Sequence, residues 1–166
     1  TYPRIVGETG GKDFCLAHNS CDTDVLVTSM IRGAFEYQGQ KCSAMSRAYI
    51  PKSIWPTVEQ KLINEVKKIK VGSPKDTSNF MNAVIDLKAF KSITQYIQFA
   101  EKSNEAEIIS GGTYDDTTGY FISPTTILTT NPSFKTMEEE IFGPILTIYL
   151  YDPSDWYDVL TLIDTT

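Results

Sequence analysis

Apolar positions along the chain change period several times, and each change marks a predicted element. Tyr2 to Val6 reads as a short strand ended by Gly7, and Phe14 to Ala17 as a second strand after the pair Gly10-Gly11. From Asp22, the residues Leu26, Met30, Ala34 and Tyr37 recur at helical spacing. Val25, Val27, Ile31 and Phe35 widen that face until the helix is apolar nearly all round, which places it inside the molecule. Gly39 is its expected stop. Ser46 to Ile50 follows as a strand closed by Pro51, and Ser53 is the expected cap of an amphipathic helix carrying Trp55, Val58, Leu62, Val66 and Ile69 on one side.

A loop rich in Gly, Pro, Ser and Asn, from Gly72 to Asn82, leads to another amphipathic helix with Leu87, Phe90, Ile93, Ile97 and Ala100 on its core face. Beyond it come a strand from Ala106 to Ser110, a Gly111-Gly112 turn, an extended pair around Tyr120 to Leu128, and a polar segment with Glu138, Glu139 and Glu140. Ile145 to Tyr151 reads as a buried strand and Trp156 to Ile163 as a closing helix. Strands alternating with helices predict an α/β fold, a mainly parallel sheet with helices on both faces. No internal repeat or low-complexity tract divides the 166 residues, which are read as a single domain.

Composition narrows the function classes. With 21 acidic against 15 Lys and Arg residues, the formal charge of −6 provides no field that attracts nucleic acid or an anionic membrane. The apolar run at Ile145 to Tyr151 is far short of the about 20 residues that span a bilayer. Three cysteines, Cys15, Cys21 and Cys42, make no disulfide framework, and the one Asn-x-Ser match is blocked by Pro132, so a reducing compartment is expected. The chain begins at Thr1 without methionine or presequence and stops just after an apolar helical pattern, so it is expected to be a piece of a longer polypeptide.

Most candidate chemistry falls away on inspection. Gly10-Gly11-Lys12 lacks the earlier glycine and the following Ser or Thr of a phosphate loop, and no G-x-G-x-x-G occurs. His18 is the only histidine and the cysteines lack zinc spacings, so no metal site is expected. Cys15 and Cys21 read as small apolar packing residues. Cys42 differs, because it follows a helix end inside Gly39-Gln40-Lys41-Cys42-Ser43-Ala44, where small neighbours leave room for a substrate. A cysteine nucleophile needs a base to prepare the water that releases a thioester, and Glu8, in the loop Gly7-Glu8-Thr9-Gly10-Gly11, is the obvious carboxylate.

Three ordered motifs, Glu8-Thr9-Gly10-Gly11-Lys12, Gly39-Gln40-Lys41-Cys42 and Glu139-Glu140-Ile141-Phe142-Gly143-Pro144, resemble those of the aldehyde dehydrogenase superfamily. Phe35 to Ala44, Ala83-Val84-Ile85-Asp86 and Gly119-Tyr120-Phe121 resemble, more narrowly, its Δ1-pyrroline-5-carboxylate (L-glutamate γ-semialdehyde) dehydrogenase branch. Thr9 stands where leucine is commoner, and Asp13-Phe14 where Asn-Pro is commoner.

The resemblance implies a catalytic-domain segment of an NAD-dependent enzyme that oxidises glutamate semialdehyde to glutamate in proline catabolism. By it, Cys42 is the nucleophile, Glu8 the general base, Glu140 the residue that binds the nicotinamide-ribose hydroxyls, and Phe142 the ring beside the nicotinamide. Ser43 resembles a hydroxyl that holds the substrate carboxylate, and Arg47 is read as a charge tying the loop down. The Cys42 main-chain N–H is expected to be one oxyanion donor. The second donor, the cofactor-binding domain and the substrate-anchoring loop are expected to lie outside this chain, so the isolated segment is expected to be inactive. The family's partners are a small aldehyde, the parent's cofactor domain and further copies in a homo-oligomer. Its eukaryotic members work in the mitochondrial matrix and its bacterial ones in the cytoplasm. The alternatives are another aldehyde specificity or a non-catalytic relative used as an assembly module.

Overall fold

The sheet begins at Phe14, and everything before it is irregular. In the computed structural model, which describes residues 2–166, the segment 2–13 forms no element. The expected strand Tyr2 to Val6 is therefore corrected. Its alternating pattern finds no strand to pair with, and Ile5 and Val6 stand 84% and 100% exposed. A strand without a ladder partner has no means of satisfying its backbone except water.

The first strand, β1 (Phe14–Leu16), is followed by α1 (Thr23–Phe35), β2 (Arg47–Pro51), α2 (Trp55–Val66), α3 (Leu87–Glu101) and β3 (Ala106–Ser110). A two-stranded hairpin, β4 (Tyr114–Asp115) and β5 (Phe121–Ile122), precedes β6 (Thr125–Thr129), α4 (Lys135–Glu138), β7 (Ile145–Tyr151) and α5 (Trp156–Asp164). The five-stranded sheet runs β1-β2-β7-β6-β3. Its first four strands are parallel, with Ala48 opposite Ile148 and Leu128 opposite Ile148 on its other side, and only β3 is antiparallel. The mainly parallel α/β architecture expected from the sequence is the one observed.

Alternation along the strands divides the core into two layers. Ala48, Ile50, Leu146 and Ile148 face α1 and α2, where Met30, Phe35, Val58 and Leu62 are buried against them. Tyr49, Ile127, Ile145 and Tyr151 face the opposite side and meet Phe90, Ile93 and Ile97 of α3 and Val159 and Ile163 of α5. Burying strands on both faces is what makes Ile145 to Tyr151 a continuous apolar run.

Two helix expectations are refined. The helix α1 is not apolar all round, since Asp24, Val25, Thr28, Ser29 and Arg32 form an exposed face opposite Leu26, Met30 and Ala34. Asp22 caps it through bonds to the Asp24 and Val25 N–H groups, at 2.8 and 3.1 Å. Ser53 does not cap α2. Ile54 occupies that position without a side-chain bond, and Pro56 in the first turn supplies the preset φ instead.

Candidate active site

The helix α1 ends at Phe35, four residues before the glycine expected to stop it, and the chain then turns left-handed. Tyr37, Gln38 and Gly39 have φ of 54, 59 and 67°. Three such residues in succession are rare, because an L-residue there costs about 1–2 kcal/mol. The motif's own glutamines hold the turn. The buried Gln38 donates from Nε2 to the Ala83 carbonyl at 3.3 Å and accepts the Asn82 N–H at 3.0 Å, while Gln40 Oε1 accepts the Ile85 N–H at 2.8 Å. Glu36 accepts from both Arg32 and Lys41, at 2.6 and 3.0 Å, which closes the turn on its outer side and holds its carboxyl below the usual range. Cys42 emerges immediately afterwards, exposed, in the short turn that leads into β2.

The Glu140 segment arrives by the crossover between the adjacent parallel strands β6 and β7. A buried bond from Thr147 Oγ1 to Thr136 Oγ1, 2.8 Å, ties α4 to the sheet. Tyr96 then donates to Glu139 at 2.7 Å, with Lys135 3.8 Å from the same carboxylate; burial and this acid push the Tyr96 phenol up to about 12. Glu139 is thereby occupied on α3, and Glu140 is left to turn the other way. The next residue but one, Phe142, has φ 56° and is half-exposed, a conformation that non-glycine residues rarely adopt outside over-determined sites.

The three motifs meet at the glycine pair. Gly11 N–H donates to Glu140 Oε1 at 2.9 Å, and the other Glu140 oxygen lies over Gly10. Gly11 also packs against the Cys42 carbonyl, so closely that a Cβ there would sit 2.6 Å from that oxygen. The glycine loop thus touches both the Glu140 carboxylate and the Cys42 main chain. Beside it is a shallow cleft lined in part by Gly11, Lys41, Ser46, Glu140 and Phe142. Glu8 and Ser43 are exposed, line no part of that cleft and make no hydrogen bond among the described residues. The Cys42 N–H likewise has no acceptor among the described residues.

Sequence reasoning gave Lys12 no role of its own, reading it as part of a failed phosphate loop and as the last residue of the Glu8 motif. Its Nζ donates to Ser46 Oγ at 2.5 Å, and burial, aided by the nearby Arg47 guanidinium, pushes its pKa down to about 7 against the pull of Glu140 and Glu139. A lysine directly behind a glycine pair that packs on other backbone was the available signal. The sign of the pH effect follows from linkage. Unfolding restores a pKa near 10.5, so between about pH 7 and 10.5 the unfolded chain binds more protons and stability rises with pH. In the full-length parent, the wild type is expected to gain about 2 kcal/mol on a Lys12→Met variant between pH 6.5 and 9.5, after allowance for partial solvent screening. Denaturation midpoints at the two pH values check this, and a pH-independent difference would refute it.

No group of three or more His, Cys, Asp or Glu side chains among the described residues is arranged to hold a metal. No helix among them is long and apolar enough to cross a membrane.

The sheet order and the meeting of three motifs at one glycine pair agree with the aldehyde dehydrogenase resemblance read from the sequence. The chain belongs to the aldehyde dehydrogenase family, whose model matches residues 1–164. Its close relatives are Δ1-pyrroline-5-carboxylate dehydrogenases. The mitochondrial enzyme of Dictyostelium discoideum is 54% identical over 165 residues, 99% of this chain and 30% of its own length. The human mitochondrial enzyme is 44% identical over 167 residues, 100% of this chain and again 30% of its own. The crystal structure of the Mycobacterium tuberculosis enzyme bound with NAD superposes with a TM-score of 0.91 at 44% identity, covering 99% of this chain and 30% of that one. The chain therefore spans about 30% of the length of the relatives it matches.

Proposed function

We propose that this chain is the nucleophile-bearing part of an NAD-dependent enzyme that oxidises L-glutamate γ-semialdehyde to L-glutamate, a step of proline catabolism. The observation that carries the reading is the crossing at Gly11, where one loop contacts both the Glu140 carboxylate and the Cys42 main chain. The Cys42 thiolate attacks the aldehyde carbon to give a thiohemiacetal, and its own N–H, which has no acceptor among the described residues, steadies the oxyanion that develops. NAD, when bound, supplies the hydride acceptor that turns this adduct into a thioester. Glu140 has one oxygen accepting from Gly11 and the other without a hydrogen bond among the described residues, left to accept from the ribose hydroxyls. Phe142 offers a half-exposed ring at the mouth of the cleft for the nicotinamide. Glu8, on the exposed arm just before the crossing, takes a proton from the water that releases the acid. Ser43, beside the nucleophile, receives the substrate carboxylate.

The remaining parts of the site belong to the parent polypeptide: the cofactor-binding domain, the second oxyanion donor and the loop that anchors the substrate. These 166 residues alone accordingly turn over no NAD, and the parent assembles as a homo-oligomer. It works in the mitochondrial matrix if eukaryotic, as the names of the Dictyostelium and human relatives suggest, and in the cytoplasm if bacterial. The test is the rate of NADH formation by the full-length parent on glutamate semialdehyde and on aliphatic aldehydes. At least a tenfold preference in kcat/KM for the semialdehyde is expected, about 1.4 kcal/mol. Equal or better rates on aliphatic aldehydes would replace the substrate assignment, and no turnover of either in folded parent would favour an assembly role.

A further inference from the structure

The segment Gly11 to Asp13 is held by three successive attachments. Gly11 gives its N–H to Glu140. The Lys12 carbonyl accepts from Arg47 Nε at 2.9 Å, and the Lys12 amine sits on Ser46 Oγ. The Asp13 carbonyl accepts the N–H groups of Ser46 and Arg47, at 3.0 and 3.4 Å. Arg47, 4% exposed, is further fixed by a bond to the Tyr49 hydroxyl at 3.1 Å and by the Phe14 ring 5.4 Å away.

Neither Lys12 nor Arg47 has a carboxylate within ion-pair distance among the described residues. A lysine amine crowded beside a buried guanidinium, with no carboxylate close enough to pair with either, is an expensive way to fasten a loop, since burying unpaired charge is opposed by desolvation. Arg47 already clamps the backbone. The Lys12 amine adds something different, because Ser46 lies on the chain that runs from the Cys42 turn into β2, so its bond joins the glycine loop to the nucleophile's own segment.

We propose that Lys12 is a positioning residue: its amine, seated on Ser46 Oγ, fixes the height of the Gly11 N–H and thereby aims the Glu140 carboxylate at the cofactor. The inference rests on the cofactor role given to Glu140 above. The charged groups facing the amine are Arg47, from β2, and Glu139 and Glu140, from the β6–β7 crossover. Burial and Arg47 hold it near the neutral form at physiological pH, so removing it relieves a folding cost rather than adding one. Positioning and stability therefore move in opposite directions, which separates this role from a merely structural one.

The test uses the full-length parent with Lys12→Met, which keeps the unbranched stem, and with Ser46→Ala, which removes the acceptor, singly and together. The readout is the NAD dissociation constant from quenching of protein fluorescence, which needs no turnover. Each single variant is expected to weaken NAD about tenfold and the double variant no more than either, because both cut the same link. The rate of Cys42 alkylation is expected to stay within about twofold and the thermal midpoint of Lys12→Met not to fall. NAD affinity within about twofold of wild type in both single variants, or losses that multiply to about a hundredfold in the double variant, would overturn the proposal. A lowered midpoint that accompanies weaker binding in Lys12→Met would overturn it as well. Wild-type parent that binds no NAD would overturn the cofactor reading itself, an outcome distinct from variants that bind as tightly as wild type.

Discussion

Replacing Cys42 with alanine in the full-length parent is expected to lower kcat for aldehyde oxidation at least about 10,000-fold, roughly 5.5 kcal/mol of transition-state stabilisation, with NAD binding unchanged. The size follows from the absence of a substitute among this chain's thiols. Cys15 is half-buried in β1, and burial, then the neighbouring Cys21, pushes its thiol up to about 11. At neutral pH it is almost wholly protonated, and only the thiolate attacks a carbonyl. Cys21, also half-buried, packs against the α1 and α2 layer of the core. Cys42 alone is exposed. Without a thioester to form, the reaction has to proceed by hydride loss from a hydrated aldehyde, for which the crossing at Gly11 offers no activated nucleophile. Pre-steady-state NADH bursts measured beside steady-state rates would check the assignment. A variant retaining more than about 1% of wild-type kcat would remove Cys42 from the mechanism.

The sheet was readable in the sequence because its information is local and periodic. Ile145 to Tyr151 reads as a buried strand and Phe90 to Ala100 repeats its apolar residues at helical spacing; both elements stand where expected, although Leu87, read as part of the same core face, is exposed at the start of α3. The misreadings arise where tertiary partners decide. Tyr2 to Val6 has a strand's alternation but no neighbour, and Tyr37 continues the helical spacing of α1 although the backbone has already turned left-handed. That turn depends on Gln38 and Gln40 reaching residues more than forty positions ahead, which no window of periodicity can register. The candidate site divides in the same way. Residue types and motif order pointed to Cys42, Glu8 and Glu140, whereas the contact that joins two of those motifs is a main-chain N–H on a glycine, a group with no sequence signature of its own.

Gly39 is the position at which a single methyl group is expected to do the most damage to the fold. Positive φ alone is not the reason, because Tyr37 and Gln38 tolerate it beside Gly39. A Cβ at Gly39 would overlap the Gly143 carbonyl oxygen, with the Gly143 carbonyl carbon 2.8 Å and the Ala34 oxygen 2.9 Å away. All three are backbone atoms and cannot rotate aside. Gly143 is itself packed on α3, its Cβ position lying 2.6 Å from Ile93 Cδ1. The displacement passes into α3, into the segment from Glu140 to Phe142 that precedes Gly143, or back along the turn towards Cys42. Gly39→Ala in the full-length parent is accordingly expected to cost about 4 kcal/mol of stability, in the range reserved for overpacking and backbone strain. Gly33 offers the control. It lies within α1, where alanine gains about 1 kcal/mol of helix propensity, and its added Cβ meets the Met45 side chain at 3.1 Å rather than backbone. Gly33→Ala should leave the denaturation midpoint nearly unchanged. Equal midpoints for the two variants would mean that the Gly39–Gly143 contact does not hold the Glu140 crossover against the Cys42 turn.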